Sequence, residues 1–150
     1  MVVSCTLHQA QSRISALALI DSEASAYAFI DKSFAQHHNL PLHPLTYPCR
    51  LQGFDGQTAR TRDITHVAKT TMALGGHIER LFLYITDLNQ YPIILSLPWL
   101  RRHGIDASFE FNTLTMSSFF CLAHCCPTPV TIHEVTREED FLSPKESQRV

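Results

Sequence analysis

Short apolar stretches punctuated by turn residues dominate the chain, the pattern of strands more than of helices. Residues 2–7 and 14–20 read as two strands joined by the polar turn Gln9-Ala10-Gln11-Ser12. The second ends in Leu17-Ala18-Leu19-Ile20, apolar on both faces as in a central strand. Residues 27–30 form another short strand, and Asp31 caps a helix of about two turns that Asn39 and Pro41 stop. Pro41, Pro44 and Pro48 then hold the chain extended. The Asp55-Gly56 pair, close to Gly53, marks one hairpin, and Gly75-Gly76 between apolar residues 64–74 and 77–85 marks a second. In 77–85, Ile78, Arg80, Phe82 and Tyr84 alternate with Leu81, Leu83 and Ile85, which predicts a strand largely buried on both faces.

The run Tyr91-Pro92-Ile93-Ile94-Leu95-Ser96 predicts a buried strand, entering a helix with Pro98 in its first turn. Arg101, Arg102 and His103 fill the last turn, where the dipole favours cations, and Gly104 ends the helix. Residues 105–111 alternate as a strand, and Asn112-Thr113 turn the chain into 114–116. Beyond Ser118 the prolines Pro127 and Pro129 and the run Arg137-Glu138-Glu139-Asp140 read as linker. Ser143-Pro144-Lys145-Glu146 starts a helix that the end of the sequence cuts off.

Composition removes several classes. With 150 residues the chain forms one domain with a tail, and its core needs no disulfides. A formal charge of −2 offers nothing to nucleic acid or an anionic membrane. No apolar run reaches the ~20 residues of a spanning helix, and the amino terminus lacks a signal-peptide pattern. We therefore expect an intracellular, cytoplasmic protein. The odd cysteine count (Cys5, Cys49, Cys121, Cys125, Cys126) reads as free thiols. Cys121, His124, Cys125 and Cys126, with His133 nearby, match no usual zinc spacing, so no metal and no cofactor are expected.

The chemistry concentrates at Asp21-Ser22-Glu23-Ala24-Ser25, a carboxylate and a hydroxyl in a tight turn between two apolar strands. A buried carboxylate is costly and calls for a partner or a task. Asp31, Asp55, Asp63, Asp87 and Asp106 lack that setting and read as caps or turn residues.

Three elements in order carry a family resemblance: Ala18-Leu19-Ile20-Asp21-Ser22 with Ala24-Ser25 and Phe29-Ile30; the hairpin of Gly53 and Gly56; and Tyr91-Pro92-Ile93-Ile94-Leu95 with Leu97-Pro98-Trp99-Leu100. Over residues 2–117 the chain resembles the retropepsin-like aspartic protease region of Ty3/gypsy-type retrotransposon polyproteins. The resemblance implies an all-β fold, a small closed barrel with one short helix, and a homodimer with one catalytic aspartate per chain. It assigns Asp21 as that residue, Ser22, Glu23 and Ala24 as active-site loop support, and Gly53, Phe54, Asp55 and Gly56 as the flap over a peptide or polyprotein substrate. Residues 1–117 would be the protease domain and 118–150 a linker or tail, the truncated junction to a downstream polyprotein region. Two positions depart from the family pattern. Glu23 and Ser96 stand where it has glycine. Glu23 would bring a side chain and a charge to a loop that meets its own copy across a twofold axis. A second reading is therefore a catalytically impaired relic or dimeric binding module, and a third is a zinc-binding tail on a β-domain.

Overall fold

A computed structural model describes residues 1–24, 26–50 and 63–135. The expected flap, Gly53, Phe54, Asp55 and Gly56, lies outside the described residues, as do 136–150.

The first hairpin pairs β1 (Val2–Gln9) with β2 (Ser12–Asp21). In β2, Ile14, Ala16 and Ala18 are buried while Ser15 and Leu17 face out, the alternation of a barrel wall. After the Asp21 turn come β3 (Ala28–Asp31) and α1 (Lys32–His37). Asp31 caps α1 as predicted: its Oδ2 accepts the Phe34 N–H at 3.1 Å. The proline segment is β4 (Leu42–Arg50), whose register against the next strand shifts between Pro44 and Cys49. A proline gives no N–H to a ladder, and here the ladder slips. The predicted second hairpin is β5 (Asp63–Leu74) and β6 (His77–Thr86), turning at Gly75 with φ +57°. Then β7 (Ile93–Ser96) runs into α2 (Leu97–Arg102).

The sheet order is β1-β2-β7-β3-β6-β5-β4, and β1 also pairs with β5. That last pairing closes six strands into a barrel, and β4 pairs antiparallel with the first half of β5. Most neighbours are antiparallel, but β2–β7 and β3–β6 are parallel. Fully buried Leu7, Ile30, Met72, Leu83, Leu95 and Trp99 fill the interior. Each large apolar side chain so buried contributes about 1.5–3 kcal/mol. A smaller cluster of Ala24, Phe29, Ile64 and Ile94 packs beneath the Asp21 turn.

Three expectations need correction. β6 is buried on one face only: Ile78 and Phe82 are 46% and 54% exposed, while His77, Glu79, Leu81 and Leu83 point inward. A barrel wall has one solvent side, and among the described residues only the Lys69 ammonium reaches over this face, 5.9 Å from the Phe82 ring centre. The strand predicted over 105–111 is only β8 (Asp106–Ser108). Ser108 Oγ accepts the Phe111 N–H and Asn112 adopts φ 54°, so a turn ends it and leaves Phe109 and Phe111 exposed. The third concerns residues 118–135, expected as linker. They continue the structure: after β9 (Thr113–Met116) come α3 (Phe119–His124) and β10 (Val130–His133), and β10 pairs with β9 in a second sheet, β10-β9-β8. Pro127 and Pro129 punctuate the connection between α3 and β10, and the buried residue of this segment is a cysteine, Cys121, that hydropathy alone undervalues. Gly104 ends α2 as predicted, with φ +56°, and a Cβ there would meet Ser118 Cβ at 3.0 Å. The glycine thus serves both the turn and the approach of the later segment.

Candidate active site

Asp21 is the last residue of β2, half-buried, and lies beside Ser96 across the parallel β2–β7 pair. The chain turns immediately after it. Asp21 Oδ1 accepts the Glu23 N–H at 2.9 Å, which braces the carboxylate from its own loop. Ala24 is buried in the smaller core cluster, and its carbonyl accepts the Leu97 N–H at 3.4 Å. The Ser96 N–H donates to the Tyr27 carbonyl at 3.2 Å. The strand bearing the loop and the strand entering α2 are thus stitched together on both sides of the turn. Ser22 and Glu23 are exposed.

The two departures from the family pattern have defined consequences here. Among the described residues, the non-glycine positions with positive φ are Asn39 and Asn112, so Glu23 sits in ordinary backbone and keeps the N–H contact to the carboxylate. Ser96 has φ −105° and ψ 179°, extended backbone that any residue adopts. Its Oγ is buried and has no hydrogen-bond partner among the described residues.

Asp21 opens onto a groove of about 240 Å³ lined with Leu19, Leu88, Tyr91 and Ile94 together with polar Asn89 and Gln90. The far wall of this groove is tied down by Asp31. Its Oδ1 accepts the Leu88 N–H at 2.9 Å, and its own N–H donates to the Pro92 carbonyl at 2.8 Å. One carboxylate thus caps α1 and anchors the loop of the groove, a role beyond the cap that sequence predicts for it.

Behind the loop lies a buried polar network that the sequence reading missed. Glu79 Oε1 accepts from Trp99 Nε1 at 2.9 Å and lies 3.1 Å from His103 Nε2, and Tyr27 Oη donates to Glu79 Oε2. Burial raises the Glu79 carboxyl, but donors from His103, Tyr27 and Trp99 more than offset it and hold the group below the usual carboxylate range. Burial and the Glu79 carboxylate push the Tyr27 phenol up. Burial, reinforced by His103, holds the His77 imidazole down at about 4, and burial pushes the Cys125 thiol up to about 12. The available signal was period two: His77 and Glu79 share the face of Leu81 and Leu83. Cys121 and Cys125 approach His77 and His103, whereas His124 and His133 are exposed and do not join them.

Among the described residues no helix is long and apolar enough to cross a membrane. The fold is similar to the crystal structure of the retroviral protease-like domain of Ddi1 from Leishmania major, with a TM-score of 0.60 at 18% identity over 93% of this chain and 96% of that one. The family model of the PEG10/RTL1 protease domain matches residues 17–125. That span takes in the Asp21 turn, the groove strands, α2 and α3, and so this closed barrel with its Asp-Ser turn belongs to the PEG10/RTL1 protease domain family, retrotransposon-derived and retropepsin-like.

Proposed function

We propose that the chain is an aspartic endopeptidase that works as a homodimer, with Asp21 of each protomer forming the catalytic pair and a peptide or polyprotein segment as substrate. The observation that carries this reading is the setting of Asp21: a half-exposed carboxylate lining a groove of mixed apolar and polar walls, braced by the Glu23 N–H. The chain has one Asp-Ser pair, so twofold symmetry must supply the second carboxylate. Two carboxylates a few ångströms apart share one proton. The ionised member takes a proton from a water, which attacks the scissile carbonyl while the protonated member donates to its oxygen. Collapse of the tetrahedral species returns a proton to the leaving amine. Leu19, Ile94 and Tyr91 would receive apolar substrate side chains, and the groove of one protomer would form half of the cleft. The resemblance assigns the flap to Gly53, Phe54, Asp55 and Gly56, which lie outside the described residues.

The test is a peptide-library cleavage assay from pH 4 to 7 with a statine-type transition-state mimic as inhibitor. Cleavage that the mimic blocks, and that Asp21→Asn abolishes, supports the reading. Intact dimers without cleavage would favour the binding-module alternative, for which the exposed Glu23 on the turn is the motivating feature.

A further inference from the structure

Four soft or borderline donors converge where β6, α2 and α3 meet. His77 comes from the start of β6, His103 caps the C-terminus of α2, Cys121 lies in α3 and Cys125 caps the C-terminus of α3. One ligand atom from each lies within 4.8 Å of all the others. His103 Nδ1 is 2.8 Å from Cys121 Sγ and 3.2 Å from His77 Nε2, and Cys121 Sγ is 3.4 Å from His77 Nε2. His77, His103 and Cys121 are buried and Cys125 is half-buried. We propose that these four residues bind a structural zinc ion in a closed His2Cys2 site.

The geometry suits that ion. A tetrahedral zinc with bonds of about 2.0–2.3 Å spaces its ligand atoms about 3.3–3.8 Å apart. The present spacings bracket that range, so closing on a cation requires displacements of about 1 Å or less. The ring orientation suits it too. With Glu79 accepting at His103 Nε2, the proton of that imidazole resides there and the Nδ1 lone pair faces Cys121 and His77. A carboxylate behind a histidine is the arrangement that orients a metal-bound imidazole. Trp99 and Tyr27 hold that carboxylate in turn. Two neutral imidazoles and two thiolates neutralise Zn²⁺: two Zn–S and two Zn–N bonds form, and the two thiol protons pass to solvent. Four protein ligands leave no open position, so the role is structural rather than catalytic.

The site would also explain what holds α3. A six-residue helix has little stability of its own. The ion would staple it to the barrel through β6 and to α2, the helix that follows Ser96 and the Asp21 turn. This is independent of whether Asp21 cleaves peptides.

The experiment measures zinc in the full chain after desalting, by release to a chromophoric chelator, and records the absorption spectrum of the Co²⁺-substituted chain. The expected result is one zinc per chain and a Co²⁺ spectrum with thiolate charge-transfer and tetrahedral bands. Cys125→Ser should weaken binding at least about tenfold. Cys126→Ser should leave it unchanged, since Cys126 Sγ faces Thr128 Oγ1 at 3.8 Å and lies outside the cluster. A folded chain that holds no stoichiometric zinc and shows no Co²⁺–thiolate band would overturn the proposal. Equal loss in Cys125→Ser and Cys126→Ser would overturn the ligand set.

Discussion

Asp21 and Ser96 are register partners across the parallel β2–β7 pair, and the hydroxyl of Ser96 is buried with no hydrogen-bond partner among the described residues. An unsatisfied buried hydroxyl costs about 1–3 kcal/mol, so Ser96→Ala should stabilise the chain by up to that amount. Ser96→Gly, which restores the family pattern, should gain less, because extended backbone at φ −105° does not need glycine and glycine loses about 0.5–1 kcal/mol in chain entropy. Urea denaturation of both variants checks this. Ser96→Ala less stable than the parent would mean that the hydroxyl has a function at the site.

How much of this was legible in the sequence depends on how local the signal was. The Asp31 cap, the Gly75 turn and the strand–helix passage at Ser96–Pro98 are written in adjacent residues, and each was predicted in place. The Asp21 turn was legible because a carboxylate between apolar runs is conspicuous. The Glu79 network was not, since its members come from β6, α2 and the segment before β3, and only the closed barrel brings them together. Nor was the pairing of Cys121 with His77 and His103, 44 and 18 residues away in sequence. Sequence proximity suggested His124 and His133 instead, and both face solvent.

Glu79 should be among the most sensitive positions for stability. Glu79→Ala leaves Trp99 Nε1 without its acceptor in the interior, and leaves Tyr27 Oη and His103 Nε2 with only each other at 3.0 Å. Each donor left unpaired in the interior costs about 1–3 kcal/mol. Glu79→Gln retains an acceptor and should cost clearly less. Equal losses by chemical denaturation would mean that shape, not the carboxylate, matters there.

Asp31→Ala removes the α1 cap and the Leu88 tether together. The cap alone is worth about 0.5–2 kcal/mol. Because Leu88 lines the groove, the variant should also raise KM for peptide more than Lys32→Ala does, Lys32 being the exposed first residue of α1. Loss of stability with unchanged KM would confine Asp31 to capping.

Glu23→Gly should raise turnover. Glu23 sits in ordinary backbone and is exposed in the single chain, so in the proposed homodimer its cost would arise where two loops meet across the twofold axis. Like charges about 4 Å apart cost about 1–4 kcal/mol, equivalent to rate factors of about 10 to 1000. Initial rates at equal dimer concentration provide the measurement. A variant no faster than the parent would show that the glutamates swing clear of each other.

The claim that one Asp21 from each of two chains makes the active site is tested most directly by mixing. Wild type and Asp21→Asn are combined at constant total chain concentration, allowed to exchange protomers, and assayed on a cleavable peptide. A mixed dimer carries a single carboxylate and should be inactive. The rate should therefore fall as the square of the wild-type fraction, to about one quarter at an equal mixture, because random pairing leaves about that share of dimers with both aspartates. A linear fall to about one half, or an unmixed wild type that dimerises without any turnover, would contradict it.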